Sequence, residues 1–212
     1  MEFVGPWSEA LQAAVLVAEA RIEAEILGDL PDVVLPSWAG PLATVDDLVI
    51  RVEFATMDGV GGTLGDGVPI LVRSDSLLPI TARMRLDADD AALLQADGVW
   101  DEVVLHEMLH CLGFGGLWGA KGLVAPDGIG YIGPGAMAEY AAMGGFGPVP
   151  LETAGGPGTA GVHWSEAMFG PELMTGWIGD SGILAPLTLA SLGDLGYGLA
   201  PYGTWMTDAS YA

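Results

Sequence analysis

Residues 103–116 read VVLHEMLHCLGFGG and hold two of the chain's three histidines, His106 and His110, with Glu107 beside the first. On an α-helix, residues four apart share one face, so both imidazoles can direct a ring nitrogen to one point. Glu107, about 100° round the helix, flanks that point. A zinc ion about 2.0–2.1 Å from each nitrogen fits the spacing. Two protein ligands do not complete a catalytic zinc site, which usually takes about three and leaves the next position to water. The competing account is an ordinary helix whose histidines fall four apart by coincidence, as short motifs of this kind can.

The search for a third ligand leads to His163, the one remaining histidine, in GVHWSEAMFGPELMTG. In so histidine-poor a chain, His106, His110 and His163 form the economical set, against the alternative that His163 is a satisfied buried side chain. A carboxylate third ligand is the other option, from Glu139 in AEYAAM or Glu166 in HWSEAM. Gly113 bears on the choice, because His-Glu-x-x-His-x-x-Gly opens the metzincin pattern, in which a glycine turns the chain sharply off the helix. In the short form of that pattern a histidine follows at position 116. Here the residue is Gly116, so the third ligand must come from elsewhere.

The elements that would position these residues can be read from periodicity and punctuation. Ser8 can cap a helix with an apolar stripe of Leu11, Val15, Ala18, Ile22 and Ile26, stopped by Gly28 and Pro31. After the turn-rich PSWAGP, the stretches DLVIRVEFATM, VPILVR and ITARMRLD read as strands of one sheet. A short helix is expected at DADDAALLQA, then the motif helix from about Trp100 to Leu112, with Asp101 and Glu102 in its first turn and Gly113 as its breaker. Sixteen of the 33 glycines lie between 113 and 161, which predicts loops relieved by one helix at GAMAEYAAM. A last helix is expected in APLTLASLGDLGYG, with Pro186 near its first position and Gly196 at its end. The order predicts an α+β fold with the motif helix at its centre.

Composition narrows the functions open to such a fold. The chain has 212 residues, 51% of them hydrophobic, and a formal charge of −22 from 6 basic and 28 acidic residues. That sign argues against nucleic acid and anionic membranes as partners, and no apolar run reaches the roughly 18 residues of a membrane span. The charge suits solubility in a salty or extracellular setting. The N-terminal MEFVGPWSEALQ lacks a basic region and does not read as a signal peptide, so the expectation is a mature portion of a longer precursor or export by another route. Cys111 is the single cysteine; a small buried side chain is the expected role, ahead of a soft metal ligand. The carboxylates of RLDADDAALLQADGVWDE do not match the spacing of an EF-hand calcium loop and read as solvated acidic surface.

HEMLHCLGFG, a long insertion, HWSEAMFGPELMTG and LTLASLGDLGYGL together resemble the leishmanolysin family of zinc metallopeptidases, metzincins whose third histidine is displaced by an inserted segment. The resemblance runs from about Val99 to Leu199, and ILGDLPD and LPITARMRLDADD upstream resemble bacterial members. It implies one catalytic domain over 1–212: residues 1–113 with a mixed sheet and the active-site helix, and a glycine-rich, mostly irregular 114–212 that brings the third ligand and ends in a helix. It also implies Zn2+ on His106, His110 and His163, Glu107 as general base, and Met174 in a Met-turn beneath the metal. The activity implied is endopeptidase hydrolysis of peptide or protein substrates by a zinc-activated water, with the peptide extended along an edge strand, for which ITARMRLD is the candidate.

Two departures limit the transfer. Eukaryotic members are rich in disulfides and some are lipid-anchored, whereas this chain has one cysteine and ends GTWMTDASYA, without a hydrophobic tail. Gly176 stands where some metzincins carry a tyrosine two residues after the Met-turn methionine. A zinc-binding interaction module without turnover is the alternative function, and the intact Glu107 counts against it, since metal binding alone does not need that carboxylate.

Overall fold

The computed structural model describes residues 1–36, 44–178 and 182–201. Most of the PSWAGP turn and the GTWMTDASYA tail lie outside them. The chain divides into two compact units, Met1–Ala20 with Leu27–Gly113, and Arg21–Ile26 with Phe114–Ala212. The fold is mixed α and β, with six helices and a mixed sheet among the described residues.

The first unit is built on strands β1 (Glu2–Val4), β4 (Val49–Ala55), β5 (Gly65–Val72) and β6 (Pro79–Asp87), in the spatial order β1-β4-β6-β5. β1 runs parallel to β4 and β4 parallel to β6, while β5 is antiparallel to β6. Along β6, Ile80, Ala82, Met84 and Leu86 are buried while Thr81, Arg83 and Arg85 between them are half-buried, the period of two that a pleated strand imposes. A small hairpin of β2 (Val33–Val34) and β3 (Thr44–Val45) adds Leu35 and Val45 to a cluster with Ile80.

The three expected strands are present in one sheet, but ITARMRLD is not its edge. β6 is flanked by β4 on one side and β5 on the other, so the free edge beside it belongs to β5. The alternating polar residues of β6 suggest an exposed strand, yet they are spent on the neighbouring strand. Arg85 Nε donates to Asp66 Oδ1 of β5 at 3.0 Å, and Arg83 stands 3.9 Å from the same carboxylate. β5 is irregular, with its register to β6 shifting after Pro69 and again after Leu71, as edge strands tolerate.

Helix α1 (Glu9–Glu25) begins where Ser8 Oγ accepts the Leu11 N–H at 3.3 Å, the expected cap, and buries Val15, Ala18 and Ile22 on one face. α2 (Ala91–Asp97) ends on Gly98 in the left-handed region. α3 (Trp100–Cys111) follows at once and packs on β5 and β6, and its Val103, Val104, Met108 and Cys111 are buried. Gly113, at φ +102°, is the residue that takes the chain off α3. Cys111 is the buried side chain expected of it; its Sγ faces the Arg83 carbonyl at 3.4 Å, and burial, ahead of the charge of Glu107, holds the thiol well above its usual range.

The second unit carries α4 (Pro134–Ala142), α5 (Glu166–Phe169), α6 (Pro186–Leu195) and one small sheet of β7 (Gly130–Tyr131) with β8 (Val149–Pro150), joined by glycine-rich turns. α4 starts at Gly133, which has no side chain to cap it. Asp194 of α6 supplies the cap, accepting Gly135 N–H at 2.7 Å, Ala136 N–H at 3.0 Å and the Tyr131 hydroxyl at 3.2 Å. Phe114, Trp118, Tyr131 and Trp164 are fully buried and pack edge-on or stacked with centroids 4.5–5.3 Å apart, a rigid aromatic core among the loops. α5 carries no sequence signal longer than one turn.

Candidate metal centre

α3 places the motif as the spacing requires. His106 is buried and His110 half-buried; their rings stand edge-on with centroids 4.7 Å apart, and their Nε2 atoms approach to 3.0 Å. Glu107 is buried beside them, 6% exposed. Burial first, and then the negative charge of Asp66, push its carboxyl up to about 8. A carboxyl so raised can hold or release a proton near neutral pH, the property a shuttling acid–base group needs.

The cover over Glu107 comes from β5, and its sequence signal is the Gly-x-Gly of Gly65 and Gly67. A Cβ at Gly65 would stand 2.8 Å from Glu107 Cγ, and one at Gly67 would collide with the Glu107 carbonyl oxygen. Two glycines spaced two apart inside a strand mark a face where another backbone comes close. The expected strand VPILVR begins at Val68, whereas β5 begins at Gly65 and takes both glycines into the strand.

In the second unit His163 is buried, with Nδ1 3.0 Å from the Thr159 carbonyl oxygen. In that contact Nδ1–H donates, and Nε2 carries the lone pair a metal would take. Burial lowers the imidazole below its ordinary value, favouring the neutral form that ligates. The turn that presents His163 is organised by Glu152. Its Oε1 accepts the Thr153 and Ala154 N–H groups at 2.8 Å each and its Oε2 the Glu166 N–H at 3.0 Å, and its backbone pairs with the His163 carbonyl and the Gly161 N–H. The N–H of Ala154 and then that of Glu166 hold the Glu152 carboxyl below its usual range.

Met174 is fully buried in the same unit, and its carbonyl accepts the Trp164 N–H, next to His163, at 2.9 Å. Glu172 fixes it from the other side. Its carboxylate accepts Met174 N–H at 2.6 Å, Ala185 N–H at 3.3 Å and the Thr188 hydroxyl at 2.5 Å, and Thr188 Oγ in turn accepts the Trp164 indole N–H at 2.8 Å. Burial raises Glu172 to about 7 against those three donors. No spacing rule reveals the roles of Glu152, Thr159 and Glu172, which rest on individual hydrogen bonds to backbone groups, to the His163 ring and to the Thr188 hydroxyl. Glu139 and Glu166 are half-buried on α4 and α5.

A buried carboxylate thus stands next to two imidazoles whose Nε2 atoms converge, groups of the kind that ligate metal ions. Residues 145–207, which include His163 and Met174, match the family model of leishmanolysin, peptidase M8. No curated protein matches the chain.

Proposed function

We propose that the protein is a zinc-dependent endopeptidase of the metzincin type, with His106, His110 and His163 as ligands, Glu107 as general base and Met174 in the Met-turn. The observation that carries the reading is the 3.0 Å approach of the His106 and His110 Nε2 atoms beside buried Glu107. Two nitrogens about 2.0–2.1 Å from one tetrahedral ion stand roughly 3.3 Å apart, so a small ring rotation suffices to fit zinc. His163 of the second unit offers a third imidazole, and its burial favours the neutral form that ligates. Glu166 supports a second reading as third ligand, because its Oε2 is buried without a hydrogen-bond partner; among the described residues it joins no set able to hold a metal.

Zinc bound there would polarise a peptide carbonyl and lower the pKa of water to about 7. Glu107 takes a proton from the attacking water and hands it to the departing amine, which leaves readily only once protonated. The positive charge of a metal held by the histidines would favour the carboxylate that accepts the proton, and burial favours the acid that returns it. β5, with one edge unpaired in the sheet, is the strand along which an extended peptide would add. Residues 1–113 and 114–212 act as the two parts of one catalytic domain, and the charge of −22 suits a secreted enzyme.

Metal analysis of protein never exposed to chelator tests the reading. The expected result is about one zinc per chain, with peptide hydrolysis lost on chelation and restored by zinc. Folded protein with a zinc content near zero overturns it.

A further inference from the structure

The first unit holds a second pair of carboxylates that the histidine centre does not use. Asp87, the last residue of β6, and Asp90, at the N-cap of α2, are 0% and 1% exposed, which corrects their assignment to solvated acidic surface. One oxygen of each is satisfied: Asp87 Oδ1 accepts the Asp89 N–H at 2.9 Å and Asp90 Oδ1 the Gly61 N–H at 2.8 Å. The second oxygen of each, Oδ2, is buried with no hydrogen-bond partner. Asp90 makes no side-chain cap to α2, and among the described residues neither carboxylate belongs to an ion pair.

Two buried carboxylate oxygens without a partner, three residues apart in the chain, are costly, because each has lost water and gained no hydrogen bond in return. A bound cation removes both costs. The loop of residues 56–64 closes on the pair: Asp87 N–H donates to the Leu64 carbonyl, Ala88 N–H to that of Ala55, and Gly61 N–H to Asp90 itself, each at 2.8–2.9 Å. Gly59 and Gly61 turn this loop at φ +85° and +77°, and Asp58 steadies it by accepting the Thr63 N–H at 3.1 Å. Carboxylates mixed with carbonyls of an irregular loop suit calcium, which takes about six to eight oxygens in flexible geometry, whereas magnesium demands a strict octahedron and keeps its water. The ligands would come from a strand end and a distant loop, which is why the spacing rule of a continuous calcium loop misses them.

We propose that Asp87 and Asp90 bind one calcium ion, with backbone carbonyls of the 56–64 loop completing its shell. The site ties the loop before β5 to the segment leading into α3, a stabilising role separate from hydrolysis. Titration of calcium-stripped protein with calcium chloride, its zinc content recorded before and after, tests this. One saturable site per chain is expected, with a rise in Tm that magnesium chloride does not reproduce. Hydrogen exchange of residues 56–64 and 87–90 should slow on calcium addition. Asp87→Asn and Asp90→Asn should each weaken calcium binding by at least about tenfold with zinc content unchanged, while Asp46→Asn, in the exposed cluster of Asp29, Asp46 and Asp47, should not. Absence of a saturable site, calcium binding that leaves exchange at 56–64 and 87–90 unaltered, or equal affinity in both asparagine variants overturns the proposal. Should those variants fail to fold, the exchange map of the unmodified protein decides by itself.

Discussion

His106 and His110 owe their approach to helix periodicity, since once α3 forms, their positions four apart bring the two Nε2 atoms to 3.0 Å. His163 has no helix beneath it. Its ring is oriented by the Thr159 carbonyl, its backbone pairs with Glu152, and its neighbour Trp164 hangs from Met174 and Thr188, so separate hydrogen bonds from distant parts of the chain fix one imidazole. Regular structure positions side chains through a repeat that is written locally. Irregular structure does so through individual hydrogen bonds, each of which must be satisfied where it is buried.

The sharpest way to break the comparison is to change the chemistry on α3 without touching either set of supports. Glu107→Gln keeps the side chain's size and removes its ability to accept a proton at neutral pH. Peptide hydrolysis should fall by about 10²–10⁴-fold, while zinc content and Tm stay at their original values. Equal cleavage by the variant and the unmodified protein would remove Glu107 from the role of base.

The next effect separates the two regions. His163→Ala should weaken zinc binding by more than the roughly 10–100-fold expected from disturbing a ligand's hydrogen-bond partner, whereas Glu139→Ala and Glu166→Ala should leave it nearly unchanged. Zinc affinity measured by competition with a chromophoric chelator checks this. Loss on Glu166→Ala with retention on His163→Ala would transfer the third position to the carboxylate.

The same contrast explains what could be read from the residues alone. α3, α6 and the capped start of α1 were legible because each combines a repeat with a terminal signal: Gly113 after α3, Pro186 and Gly196 around α6, Ser8 before α1. The strands were legible as strands, but their order was not, because the polar residues of β6 that suggest an edge are matched to Asp66 across the ladder. The burial of Asp87 and Asp90 was hidden for a related reason, since a run of carboxylates looks solvated until a loop some 25 residues earlier folds over it. The histidines were visible as residue types; Glu152 and Glu172 were not, because Glu152 binds backbone N–H groups and Glu172 binds two of them with the hydroxyl of Thr188, 16 residues away.

Glu172 gives a smaller, pH-dependent effect confined to the second unit. Its carboxyl rises from 4.5 to about 7 in the fold, so the folded state holds the proton more tightly than the unfolded chain does. The stability this contributes is fully present below about 4.5 and is lost as pH rises through about 7. Urea unfolding measured from pH 5 to pH 8 should show this decline. Glu172→Gln should make the decline shallower, leaving the part that Glu107 contributes, while lowering stability at every pH, because the amide nitrogen of glutamine cannot accept the donors that now converge there. An unchanged slope in the variant would mean that another group carries the dependence.

The smallest effect is expected at Met174, and it asks how much of the second unit's precision depends on one side chain. Met174 is fully buried, yet the hydrogen bonds that fix the turn, from its N–H to Glu172 and from Trp164 to its carbonyl, are made by its backbone. Met174→Leu keeps those bonds and nearly keeps the apolar volume, so the cost should stay under about 1.5 kcal/mol in urea unfolding, with zinc retained. If the side chain only fills space beneath the histidines, hydrolysis by this variant should remain within a few-fold of the unmodified protein. Loss of zinc without loss of fold would instead show that the thioether, through its polarizability or its exact reach, positions the ligands directly. That outcome would make the irregular region as dependent on side-chain identity as α3 is on its two histidines.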